Sequence, residues 1–108
     1  MRRYTTPTLV ITIDKPELID ASGIYVTFAQ GAQLLTINSD IEITATETGV
    51  QLELGLSQLQ TAGFVPGRAQ LQVNWLESNG NRGATEIATI TITDNLLNQV
   101  IPGQDPEA

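Results

Sequence analysis

The residues of this 108-residue chain best suited to chemistry are three acids around one loop, Asp14, Glu17 and Asp20. Hard cations such as calcium take carboxylates from loops of this kind. The spacing matches no calcium-loop motif, so solvated turn acids are the expectation, and no metal or cofactor is assigned. Nucleophilic and acid–base chemistry lack their usual carriers. The chain has no Cys and no His, which removes thiolate metal sites, cysteine nucleophiles and the Ser-His couple together. A paired-carboxylate hydrolase needs a cleft that so small a domain has little room for, and no glycine-rich phosphate loop follows any strand. The expectation is a protein without catalytic residues. Trp75, the sole tryptophan, could stack on a sugar, but its parity with Leu71 and Val73 places it inward. Tyr4 and Tyr25 are better placed to be exposed, which keeps carbohydrate binding as the alternative function.

The other chemistry on offer is apolar contact. After Asp94, a candidate helix cap, Leu96, Leu97, Val100 and Ile101 form a stripe at helical i, i+4 spacing beyond the last expected strand. Such a stripe either folds back over a sheet edge or sandwich end, or docks on a neighbouring subunit. These four residues are the candidate interaction site.

Charge narrows the partners. Twelve acids against five bases give a formal charge of −7, and Lys15 is the only lysine. Neutralising phosphates requires clustered Lys and Arg, so no nucleic-acid partner is expected. Arg2 and Arg3 form the one basic pair, but the polar Tyr4-Thr-Thr-Pro7 that follows has the shape of neither a secretory nor a twin-arginine signal. No stretch approaches the ~20 apolar residues of a membrane span. A soluble protein made in a cytoplasm, with no membrane partner, is the expectation.

The elements that must position these residues are strands. Leu9, Ile11 and Ile13 alternate with Thr8, Val10 and Thr12; Ile24, Val26 and Phe28 with Tyr25 and Thr27; Val50, Leu52, Leu54 and Leu56 with Gln51, Glu53 and Gly55. Period two is that of a pleated strand with one buried face. Leu34–Ile37 and Ile41–Ala45 add two short strands. Ser57-Gln-Leu-Gln60 has the form of a capping box and Gly63 that of a C-terminal cap, so one helical turn is expected near 58–62, with Leu59 or Phe64 plugging the end of the core. Arg68–Trp75 and Ala88–Thr93, around Asn79-Gly80, read as a closing hairpin. The predicted fold is an all-β, antiparallel, immunoglobulin-like β-sandwich of about seven strands, with a small β-barrel as the alternative. One domain spans 1–101, and a polar tail, 102–108, is expected to be disordered.

A two-residue turn at Asn79-Gly80 predicts that Ser78 pairs with Asn81, Glu77 with Arg82, Trp75 with Ala84, Val73 with Glu86, and Leu71 with Ala88. That register sends Glu86 to the apolar face. Either a bulge near Thr85–Ile87 resets the phase, which is the preferred reading, or Glu86 lies at the open end of the sandwich.

Four stretches, Met1-Arg-Arg-Tyr-Thr-Thr-Pro-Thr8, Leu54-Gly-Leu-Ser-Gln-Leu-Gln60, Ala69-Gln-Leu-Gln-Val-Asn-Trp75 and Ala88-Thr-Ile-Thr-Ile-Thr-Asp-Asn-Leu-Leu-Asn-Gln-Val-Ile101, resemble the small proteins of tailed phages and prophages of Gram-positive bacteria. The usual acidic turn of those proteins is replaced here by Gln58-Leu59-Gln60. The resemblance implies a virion-associated structural or adaptor protein, like the sandwich modules of baseplates and capsids. It carries over no catalytic residue. It further implies other phage structural proteins, or further copies of the chain, as partners, and a path from bacterial cytoplasm to virion.

Overall fold

In the computed structural model, which describes residues 1–102, each alternating segment forms a strand: β1 (Thr8–Ile13), β2 (Gly23–Gln30), β3 (Gln33–Ile37), β4 (Glu42–Ala45), β5 (Val50–Gly55), β6 (Gly67–Leu76), β7 (Arg82–Ala84) and β8 (Ala88–Ile92). They make two separate sheets, β1-β5-β4 and β3-β2-β6, with β7 and β8 both on the far edge of β6. Every strand pairing is antiparallel. Because β7 and β8 occupy one edge in succession, the sheets correspond to B-E-D and C′-C-F-G of an immunoglobulin-like sandwich. The chain is therefore an all-β sandwich, with two open sheets and not a closed barrel. Among the described residues no strand lies beside β1, where strand A would be. The first residues instead reach the end of β8 through a parallel bridge between Arg2 and Thr93.

The inward faces supply the core: Val26 and Phe28 from β2, Val50 and Leu52 from β5, Val73 and Trp75 from β6, and Ile92 from β8 are all buried. Two corner pieces close it. A 3₁₀ turn, Pro16–Asp20, which sequence periodicity read only as loop, inserts Leu18 into the core. Helix α1 (Gln58–Ala62) has the expected capping box: Gln60 N–H donates to Ser57 Oγ at 3.1 Å, and Ser57 N–H to Gln60 Oε1 at 2.8 Å. Phe64, not Leu59, is the plug that follows it, meeting Phe28 edge to face at 6.1 Å.

The hairpin departs from the expected pairing near its turn. Gly80 N–H donates to the Glu77 carbonyl (2.9 Å), Glu77 N–H to that of Asn81 (2.8 Å), and Gly80 has φ +91°. This is the three-residue loop in which a β-turn is followed by a residue at positive φ. Leu76 consequently faces Arg82, Trp75 faces Gly83, and Asn74 faces Ala84. Ser78–Asn81, Glu77–Arg82, Trp75–Ala84 and Val73–Glu86 are thus displaced by one residue, and the Arg82 guanidinium bonds Asn74 Oδ1 (3.1 Å). The physical reason is the indole: a Cβ on Gly83 would sit 2.5–2.6 Å from ring atoms of Trp75, so only glycine fits opposite it.

The bulge lies where it was expected. Thr85 N–H donates to the Val73 carbonyl (2.9 Å), and Val73 N–H to Thr85 Oγ1 (3.1 Å). The Thr85 carbonyl turns aside to accept from Gln72 Nε2 (3.0 Å). Glu86 and Ile87 are then exposed, and the expected Leu71–Ala88 pair is restored. The tail expected from residue 102 onward lies, past Pro102, outside the described residues.

Gly83→Ala should force the indole out of its seat. The expected result is a loss of about 1–3 kcal/mol in denaturant unfolding, with a red shift of the single tryptophan's emission. An unchanged spectrum would mean that Trp75 does not depend on this glycine.

Candidate functional site

The C-terminal stripe does not form a helix. Beyond Thr93, the Asp94 carboxylate accepts from Asn95 N–H (2.8 Å), and Asn95 Oδ1 accepts from Leu97 N–H (3.4 Å). Short side chains that bond the backbone just ahead compete with helical bonds, which is why the i, i+4 spacing is not realised. The strap runs irregularly to α1, where Ile101 N–H donates to Gln58 Oε1 (2.7 Å) and Gln58 Nε2 donates to the Ile101 carbonyl (2.9 Å). The Gln58 amide thus binds Ile101 as a neighbouring strand would. Leu96 is fully exposed, Leu97 and Ile101 are exposed to about half their surface, and Val100 is half-buried.

The opening residues have a structural task that their sequence did not disclose. Arg3 N–H donates to the Thr93 carbonyl (2.9 Å), and Thr93 N–H to that of Met1 (2.7 Å). The Arg3 guanidinium bonds Asp94 Oδ1 and the Ala62 carbonyl, each at 3.1 Å, and lies 5.2 Å from the centroid of the Tyr4 ring. Buried Thr61 completes the tie, accepting from Thr5 N–H (3.0 Å) and donating to the Thr5 carbonyl (2.9 Å). The basic pair is occupied in joining the last strand to the corner helix.

Asp14, Glu17 and Asp20 are exposed around the 3₁₀ turn, and among the described residues no three acids converge on a point where a cation could sit. Trp75 is inward, as its parity indicated. On the outer face of the larger sheet, however, Tyr25, Thr27, Thr36, Asn74, Leu76 and Arg82 line a shallow depression of about 410 Å³. The β2–β6 register places Tyr25 opposite Asn74, and the Thr27 and Thr36 hydroxyls lie 3.2 Å apart. Sequence reasoning saw Tyr25 as exposed but did not bring Asn74, Leu76 and Arg82 to it, because they come from strands far along the chain. A second concavity, of about 260 Å³, opens between the sheets beside β1 and is lined mainly by Met1, Pro7, Leu9, Phe28, Leu71 and Ile90.

Fold and surfaces together define a small immunoglobulin-like sandwich that carries, among its described residues, a depression of mixed polar and apolar lining on one face and an apolar cleft on one flank. No protein-family model matches the chain, and no curated protein sequence matches it.

The Asn95 N–H bond is the main cause that lowers the Asp94 pKa; desolvation opposes it, and the Arg3 hydrogen bond and charge each add a smaller lowering. Because the folded value is depressed, the tether is complete at neutral pH and is lost as pH falls through that value, below the ordinary aspartate range. An NMR titration of the Asp94 carboxyl should therefore give a low midpoint. Arg3→Ala should raise it only part of the way, leaving the Asn95 contribution. A midpoint at the ordinary aspartate value in the unsubstituted protein would refute the tether.

Proposed function

We propose that this protein is a non-enzymatic contact module, serving as a structural or adaptor subunit of a phage or prophage particle. The observation that carries the reading is the C-terminal strap: Leu96, Leu97 and Ile101 are exposed while the Gln58 amide holds the segment in place. An apolar segment pinned at one end loses less entropy on docking than a free one, and exposed apolar residues in a cluster are what protein partners cover. The acidic balance argues against nucleic acid as that partner, and the absence of His and Cys argues against catalysis. The particle setting rests on the sequence resemblance described above.

Replacing Leu96 and Leu97 together by Asp should weaken capture of particle proteins at least about a hundredfold, since each buried leucine contributes roughly 1.5–3 kcal/mol. Circular dichroism and the unfolding midpoint should stay as in the parent. Loss of the fold instead would assign the strap to the domain's own core, and unchanged capture would remove it as the contact.

A second reading is favoured by the outer depression, where an exposed Tyr25 stands beside Asn74, Arg82 and two threonine hydroxyls, the combination of ring face and polar groups that saccharides use. On this reading the protein is a carbohydrate-binding module. A glycan array should then show binding by the parent protein that Tyr25→Ala abolishes, and an array without any bound glycan would end the reading.

A further inference from the structure

Among the described residues two edge strands, β1 and β3, carry no charge, proline or glycine. β1, with six residues, is longer than the other edge strands, pairs with β5 on one side only and borders the apolar cleft. Edge strands are normally blunted by a charge, a proline, a bulge or a covering segment. β4 carries Glu42, and the β7–β8 edge is broken at Thr85–Ile87 and met at its end by Arg2. Within Thr8–Ile13 there is no charge, proline or glycine.

The phase of the ladder shows which backbone groups this edge presents. Leu56 N–H donates to the Pro7 carbonyl at 3.0 Å, in the register that continues as Thr8–Gly55 and Leu9–Leu54. Antiparallel bonding alternates, so Leu9 and Ile11 turn their N–H and C=O toward β5, while Thr8, Val10 and Thr12 turn theirs outward. The apolar cleft opens beside the same edge, with Leu9, Ile11, Phe28, Leu71 and Ile90 in its lining. In a complete immunoglobulin-like sheet strand A lies alongside B, but here Met1 and Arg3 are spent on Thr93.

What fits such an edge is β1 itself. Antiparallel pairing about Val10 sets Val10 against its own counterpart, Leu9 against the partner's Ile11, and Thr8 against the partner's Thr12. Every outward N–H and carbonyl of the three edge residues then finds a partner. The leucine and isoleucine of each copy lie on the cleft side, and no like charges are opposed. Sliding by one residue sets apolar cleft-side residues against threonines and breaks the bonding phase. Sliding by two sets Thr8 against Asp14, beyond the strand.

We propose that two copies of the chain associate through β1 about a two-fold axis at Val10, joining their three-stranded sheets into one continuous sheet and closing the apolar cleft of each. This goes beyond the contact reading above, which concerns the strap on the far side of β8.

Sedimentation velocity on the full chain, from about 1 to about 500 μM, should show a concentration-dependent dimer. Val10→Lys, which opposes two cations across the axis at an exposed outward position, should weaken it at least about tenfold with an unchanged unfolding midpoint. The chain has no cysteine of its own, so the register can be read directly. Under mild oxidation Val10→Cys should link two chains across the axis. Thr12→Cys should not, because its counterpart lies four residues away along the strand, about 13 Å. A monomer throughout the range, a dimer indifferent to Val10→Lys, or equal linking at both cysteines would each overturn the proposal. The Leu96→Asp/Leu97→Asp protein should still dimerise; a loss there would place the interface at the strap and also overturn it. Failure of the strap to capture particle proteins would leave the dimer test untouched.

Discussion

The indole of Trp75 lies against a backbone that cannot carry a side chain, and much of the larger sheet follows from that contact. β6 is the central strand, bonded to β2 along one side and to β7 and β8 along the other. With Gly83 held opposite Trp75, the strand returning from the turn is one residue out of step with the pairing that Ile90 and Ile92 require. Thr85 resolves the mismatch by lending its hydroxyl to the ladder where its carbonyl has turned away. A buried ring thus determines where the bulge falls and, through it, which residues of the last strand face the core.

The domain lacks a disulfide between its sheets, where immunoglobulin domains often place one. Its inter-sheet layer is instead hydrocarbon, from Leu52 and Val50 on one side and Val26, Val73 and Phe28 on the other. The corners do the rest. Leu18 seals one from a short 3₁₀ turn, and Phe64 follows α1 into another. Thr61, wholly buried, satisfies both backbone groups of Thr5, so a hydroxyl joins the first residues to the corner helix while Met1 packs against the core.

Much of this was legible in the amino-acid order. Alternation located the strands, and Ser57-Gln-Leu-Gln60 located the helix, because both signals are local and a buried face leaves a clear period. The turn register was not legible, since Asn-Gly serves two- and three-residue loops alike and the deciding contact, Trp75 on Gly83, joins residues on different strands. The stripe at Leu96–Ile101 had helical spacing, but Asp94 and Asn95 bond their neighbours' N–H groups and the Gln58 amide holds the far end. The 3₁₀ turn was too short to show a period; its one signal was a proline opening it and a single leucine among exposed neighbours. The outer depression depends on β2 lying beside β6, a long-range pairing that no local pattern encodes.

Parallel contact between the first residues and the end of β8 also has a mechanical meaning. The bonds from Arg3 N–H to the Thr93 carbonyl and from Thr93 N–H to the Met1 carbonyl lie across two segments running in the same direction. Tension applied between the first residues and the strap beyond Asp94 pulls those segments past one another lengthwise. The load then falls on these bonds, on those from the Met1 ammonium to the Thr91 carbonyl and from Arg2 to the Asp94 carbonyl, and on the Arg3–Asp94 pair together, in shear and not in succession as a zipper would open. The sandwich therefore resists being drawn out along its chain more than being peeled at its other edges.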